Sequence, residues 1–186
     1  MNGLWRSTKK GFALIQLLIG LAIMALMSVV VIPAFRSKLP AEERKAFAER
    51  INSIFQEGWQ KALITRTLTR VVIDNVKNSF FIEHITDRFD DTGKQLWERD
   101  SERFAMGDYY WPDYLELRNV FINGTDEMAR YTHGAKMETA WIYIVPHGMV
   151  QPTIINVVDV RDEKEFGLVV NPFNARVMLY DSFQSS

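Results

Sequence analysis

The sequence contains no cysteine, which excludes disulfide staples and thiolate metal sites, so any folded region must hold itself by packing alone. Its three histidines, His84, His133 and His147, are far apart and share no helical ligand spacing, so no metal centre is expected. No G-x-S-x-G, H-E-x-x-H or phosphate-binding glycine loop is present, nor any internal repeat or low-complexity tract. An excess of one charge is also missing. The 22 basic and 23 acidic residues leave a formal net charge of −1 over 186 residues, which argues against a nucleic-acid grip. Glu98, Asp100 and Glu102 crowd one charged stretch with nothing to bury them, so no acid–base pair is expected. Asp87, Asp90 and Asp91 with Thr92 and Gly93 lack the alternating ligands and closing glutamate of an EF-hand, and read as a solvated loop. Asn123-Gly124-Thr125 matches a glycosylation acceptor and is read as chance. Neither an enzyme nor a cofactor is expected.

What is present begins with an apolar run. From Phe12 to Ile32 only Gln16 and Ser28 are polar and none is charged. At about 1.5 Å per helical residue the run spans roughly 31 Å, close to the hydrocarbon thickness of a bilayer. A secretory signal has a shorter core and a small-x-small cleavage site. Arg6, Lys9 and Lys10 all precede the run, so the positive-inside rule holds the amino end in the cytoplasm and places the rest outside. Pro33 removes a backbone donor, which predicts a kink or local melt near Val29 to Pro33. Gly20 has Met24 rather than glycine four residues on, so no GxxxG motif is present and lipid-facing packing is expected.

After Pro40 the apolar residues Phe47, Ile51, Ile54, Phe55, Trp59, Ala62 and Leu63 fall on one stripe of a 3.6-residue helix. Charged and amide residues, Lys61 among them, take the other faces. Pro40 followed by Glu42 and Glu43 suits a second helix start; a single bent helix over residues 12–64 is preferred. Beyond Thr65 the period drops to two. Arg70–Asp74 and Ser79–Ile85 around Asn75–Asn78 predict a β-hairpin. Asp87 to Asp108 reads as a long exposed loop with a short strand over Gln95 to Glu98. Tyr109, Tyr110, Trp111 and Tyr114 suit either an interaction patch or, preferably, a cap on the core. Leu115 to Ile122 predicts a strand and Asn123 to Met137 a second loop. Strands over Thr139–Val145, Thr153–Val160, Phe166–Val170 and Arg176–Tyr180, separated by three turns, predict an antiparallel meander.

The junction Lys10-Gly11-Phe12, the run to Ile32 and Pro33-Ala34-Phe35 together resemble the class III signal of type IV pilins and type II secretion pseudopilins. The β region is similar to the H-type minor pseudopilins of type II secretion, the GspH/FimT family. The pieces that match are Arg70 to Glu83, Ile142 to Gly148 and Pro172 to Val177. Asn174-Ala175-Arg176 stands where that family has Thr-Gly-Arg, and Asn174 is expected to tolerate the positive φ such a turn needs. Most members carry glutamate where this chain has Gln16. An amide still accepts a hydrogen bond but offers no charge to pair with a neighbouring subunit's terminal amine. Gln16 therefore marks either drift or a subunit used rarely, near a fibre tip.

The resemblance implies an α+β fold, with a long N-terminal helix packed on an antiparallel β-sheet domain. It implies a leader over residues 1–11, cut between Gly11 and Phe12 by a prepilin peptidase with N-methylation of Phe12. Losing the leader's three cations takes the formal net charge from −1 to −4. A long helix over 12–64, with a transmembrane span at 12–32, and a globular domain over 65–186 follow. Gln16 and Pro33 are the assembly positions. The implied role is structural: a minor subunit of a pseudopilus, held in the inner membrane by a single pass with its C-terminal domain in the periplasm. The partners implied are other pseudopilins through the helix, the peptidase, the inner-membrane assembly platform and the lipid bilayer, with no nucleic acid. A minor type IV pilin for adhesion, motility or DNA uptake is the alternative in the same family. A membrane-tethered binding module with an uncleaved anchor is the alternative outside it.

Overall fold

A computed structural model describes residues 8–99, 107–129 and 138–185, with side chains from Phe12 to Met27 and from Pro40 onward. The chain divides into two compact units, Met1–Arg44 and Lys45–Ser186. One helix, α1 (Thr8–Thr65), is 58 residues long. Pro33 and Pro40 both lie within it, so of the kink or local melt expected near Val29 to Pro33, the melt is absent. Each proline removes one i→i−4 donor, and the bonds on either side carry the helix past it.

Among the described residues of the second unit, ten strands follow: β1 (Thr69–Asp74), β2 (Ser79–Phe89), β3 (Gln95–Arg99), β4 (Tyr109–Tyr110), β5 (Leu115–Ile122), β6 (Thr125–Asp126), β7 (Thr139–Ile144), β8 (Thr153–Asp159), β9 (Lys164–Val170) and β10 (Val177–Tyr180). They form two five-stranded sheets, β3-β2-β1-β7 with β4 beside β2, and β10-β9-β8-β5-β6, all pairs antiparallel. The stripe of α1 covers both. Phe47, Ile51, Ile54, Phe55 and Ala62 are buried in one core with Val71, Ile82 and Ile144 of the first sheet and Val157, Phe166 and Leu168 of the second. Fully burying a side chain such as Ile51 or Phe55 stabilises the fold by about 1.5–3 kcal/mol. The domain needs no covalent staple.

The hairpin β1–β2 forms as the sequence predicts, with Thr69 opposite His84 and Asp74 opposite Ser79. Asp74 Oδ1 accepts the N–H groups of Val76 and Lys77 at 3.1 and 3.0 Å, and Asn78 closes the turn at φ 51°. In β5 the buried residues are Leu115, Leu117, Val120 and Ile122, a change of parity that a register shift between Leu117 and Asn119 accounts for. A bulge there returns the apolar side chains to the core face.

Four expectations are corrected. The stretch from Asp87, expected as an exposed loop, is a hairpin as far as Arg99: β2 continues to Phe89 and turns into β3, where the short strand over Gln95 to Glu98 was expected. The turn is built by Asp90, whose Oδ1 accepts the Thr92 and Lys94 N–H groups, both at 2.9 Å, and by Gly93 at φ 81°. The meander holds for β8-β9-β10, but β7 belongs to the other sheet, beside β1. After Ile144 the chain turns back in a short hairpin, with Ile144 bridged to Val150 and the Gln151 N–H donating to the Tyr143 carbonyl at 3.1 Å, before it crosses to β8. Lys61, expected on the polar face, is 4 % exposed, whereas Leu63 is 38 % exposed. Lys61 buries its aliphatic stem at the end of the helix and places Nζ 2.9 Å from His84 Nδ1. In the last hairpin, Ala175 rather than Asn174 takes the positive φ, at 54°, and is fully buried. Ala175 thus occupies the glycine position of the Thr-Gly-Arg pattern. Residues 100–106 and 130–137 lie outside the described residues, and with them Asp100, Glu102, His133 and the later part of the second expected loop.

Candidate assembly surface

Every large apolar side chain from Phe12 to Met27 is between 52 and 70 % exposed. Gln16 is exposed among them, one turn from Phe12 and one from Gly20, and a side chain at Gly20 would meet nothing within 4 Å. Soluble monomers rarely present a contiguous apolar surface of this kind, and a helix that is apolar all round belongs in a protein core or in lipid. Among the described residues, however, no helix is long and apolar enough to cross a membrane. The side chains of Ser28 to Ile32, which complete the expected span, lie outside them, as do residues 1–7 of the leader, the leader's remaining side chains and the side chain of Pro33. Phe12 to Met27 alone covers about 24 Å at 1.5 Å per residue.

The turn after β7 shows how the helix is fastened to the domain. Trp59 Nε1 donates to the Gly148 carbonyl at 2.6 Å. Gly148 has φ +83°, and a Cβ there would stand 3.0 Å from Leu63 Cδ2 and 3.1 Å from Trp59 Nε1. Glycine is required twice over, by the backbone and by the close approach of the helix. This is the Pro-x-Gly element on which the resemblance rested.

The remaining candidates settle into structural roles. His147 lies exposed in that turn, and His84 faces Lys61 from β2. Among the described residues no group of histidine and carboxylate side chains is placed to hold a metal ion. Asp90 is committed to its turn, and the hydrogen bonds from the Thr92 hydroxyl and the Lys94 backbone hold its carboxyl below the usual range. Glu98 pairs with Arg88 at 2.5 Å. Trp111 is buried against Phe80, ring centroids 4.9 Å apart, and Tyr109 and Tyr114 pack on the core, so the cap reading holds for these three while Tyr110 is exposed. Burial raises the Tyr109 phenol above its ordinary value.

One feature was missed in the sequence. On the outer face of the first sheet, Arg70 stands 3.9 Å from the Trp97 ring centroid and 5.5 Å from that of Trp141, while its Nε donates to Glu83 at 2.7 Å. Arg99 stacks on Phe81 at 3.6 Å and pairs with Asp108 at 2.5 Å. Trp97 and Tyr143 lie 5.8 Å apart. Apart from Asp108, these residues come from four different strands, β1, β2, β3 and β7, and their alternation is visible in the sequence. Their meeting depends on the order β3-β2-β1-β7, which the meander expectation had wrong.

No family model matches the chain, and no curated protein matches it in sequence. Among solved structures it is similar to the minor pseudopilin EpsH of the type II secretion system of Vibrio cholerae, in two structures. One gives a TM-score of 0.50 at 14 % identity, covering 74 % of this chain and 95 % of that one. The other gives 0.52 at 16 % identity, covering 78 % and 98 %. At these identities the likeness is one of fold. The chain has a pseudopilin-like α+β fold, an N-terminal helix packed on antiparallel sheets.

Proposed function

We propose that the chain is a minor pseudopilin of the H type, a non-catalytic subunit of a type II secretion pseudopilus. The observation that carries this reading is the exposed apolar stretch Phe12–Met27 at the start of the helix whose second half builds the core of a pseudopilin-like domain. Such a helix has two uses that reinforce one another: it holds the subunit in the inner membrane, and it packs on the helices of other pseudopilins when the fibre is drawn out. In this reading a prepilin peptidase removes residues 1–11 between Gly11 and Phe12, and Phe12 is methylated. Residues 12–32 cross the bilayer once, helix 12–64 joins the anchor to the domain 65–186, and that domain stands in the periplasm. The assembly platform engages the membrane segment. Gln16, inside the first turns, gives neighbouring subunits a hydrogen-bond acceptor in place of a carboxylate. A structural subunit needs no catalytic group, and the role assigned here asks for none.

Because the chain has no cysteine, single substitutions such as Leu17→Cys and Leu21→Cys give cross-links without background. In cells making the secretion system, oxidation is expected to join these variants to pseudopilins carrying a cysteine in the same helix region, while Lys77→Cys in the β1–β2 turn gives none. Cross-linking absent from both helix positions under assembling conditions refutes the reading.

A further inference from the structure

We propose that the end of the second unit at which α1 finishes docks on an anionic phospholipid surface. Three segments meet there: the helix end with Leu63, Ile64 and Arg66, the turn from Val145 to Met149, and the β9–β10 turn with Phe173. A side chain at Gly148 would stand against Leu63 and Trp59. The Val150 N–H donates to the Pro172 carbonyl at 2.8 Å, and Gln56 Nε2 donates to the Asn174 carbonyl at 2.7 Å. The three segments are thus fastened to one another. Ile64 and Phe173 are 75 and 72 % exposed, and Leu63, Val145 and Met149 are exposed beside them. Large apolar side chains gathered in solvent at one place mark an interaction site, whereas the same residues scattered singly would not.

The backbone of the turns favours lipid over a protein partner. The Val145 N–H donates to the Met149 carbonyl and the Gly148 N–H to the Val145 carbonyl, both at 2.9 Å. The Phe173 N–H donates to Asn171 Oδ1 and the Ala175 N–H to the Asn171 carbonyl, again at 2.9 Å. Pro146 and Pro172 have no N–H to satisfy. Backbone enters an apolar phase only where its polar groups are already paired. A protein interface carries about one hydrogen bond per 100–200 Å² and draws on donors that these turns have spent. The apolar side chains also stand on turns and a helix end, as tips, where a bound helix or strand would call for a groove or a free sheet edge.

Charge decides the kind of lipid. Arg66 and His147 border one hollow of about 590 Å³ together with Leu63 and Pro146. Segments 63–67, 145–150 and 171–175 contain no aspartate or glutamate. A cation set among apolar tips is the arrangement that sinks side chains to the acyl boundary while the guanidinium meets phosphate. The inference does not depend on the assembly reading.

The test uses site-directed spin labels on the full-length chain, whose lack of cysteine leaves no background. Phe173→Cys, Met149→Cys and Lys77→Cys, the last exposed in the β1–β2 turn, each carry one nitroxide in phosphatidylcholine vesicles with or without phosphatidylglycerol. Collision with oxygen, which concentrates in lipid, is compared with collision with an uncharged nickel chelate, which stays in water. With phosphatidylglycerol, the oxygen-to-nickel ratio is expected to rise about threefold or more at positions 149 and 173 and to stay flat at 77. Arg66→Glu or high salt is expected to reverse most of that rise. Leu17→Cys follows the apolar run in the same vesicles, and its result bears on the anchor alone. Ratios at 149 and 173 that are the same in both lipids overturn the proposal, as does a rise that Arg66→Glu leaves intact. Loss of oxygen and nickel collisions together marks a protein contact instead and overturns it equally.

Discussion

Replacing Ala175 by glycine is expected to leave stability nearly unchanged, although the residue is fully buried. Ala175 sits at φ 54°, and its N–H donates to the Asn171 carbonyl at 2.9 Å to close the β9–β10 hairpin. A left-handed conformation costs an L-residue about 1–2 kcal/mol. Glycine relieves that strain, but it loses a buried methyl worth about 0.8 kcal/mol. It also adds about 0.5–1 kcal/mol of unfolded-state entropy. The terms cancel to within about 1 kcal/mol, a shift in Tm of roughly 2–4 °C either way for a chain of this size. Ala175→Val keeps the strain and adds β-branching where a fully buried site has no room, and is expected to destabilise by about 2 kcal/mol or more. Thermal unfolding followed by circular dichroism of the full-length chain in micelles measures both. If valine is tolerated as well as glycine, or glycine alone lowers Tm by more than about 8 °C, the strained-turn account is wrong.

Gly58 faces the first sheet from the helix, and a Cβ there would stand 3.0 Å from Ile144 Cδ1, the mobile end of a side chain. Gly58→Ala is expected to be near neutral, with about 1 kcal/mol of helix propensity offsetting the adjustment, whereas Gly58→Val is expected to lower Tm clearly by pushing the helix off the sheet. For Tyr109, burial raises the phenol above its ordinary value of 10.0. The unfolded chain then ionises first, so this group's contribution is complete below about pH 10 and is lost as pH rises through the folded value. Stability measured from pH 8 to 11 is expected to fall more steeply in the parent than in Tyr109→Phe, and equal slopes would falsify the assignment.

Much of this architecture was legible because local patterns agreed with tertiary ones. The 3.6-residue stripe from Phe47 to Ala62, the Asn75–Asn78 turn and the alternation in β8 and β9 each follow from side chains that must reach a core. The apolar run at Phe12 is a composition signal that needs no tertiary context. What could not be read was pairing between strands distant in sequence. The turn at Pro146–Gly148 is a hairpin loop, with Gly148 committed to Trp59, but its returning arm is short and β8 pairs in the other sheet. The Arg70, Trp97 and Trp141 stack depends on that same pairing. Lys61 reads as a surface residue because charge usually means exposure, and only the position of His84 across the helix end reveals its burial. In the β9–β10 turn the expectation placed positive φ on Asn174 for its chemistry, whereas position in the hairpin decided for Ala175.

The account rests on the amino-terminal segment being a processed anchor rather than a removed signal or an intact one. Intact-mass and peptide mass spectrometry of the protein from cells with an active prepilin peptidase tests this directly. The expected species begins at Phe12 with a methylated α-amino group, and Gly11→Val retains the leader. Protein that begins at Met1 in those cells, or that begins after residue 32, contradicts the account.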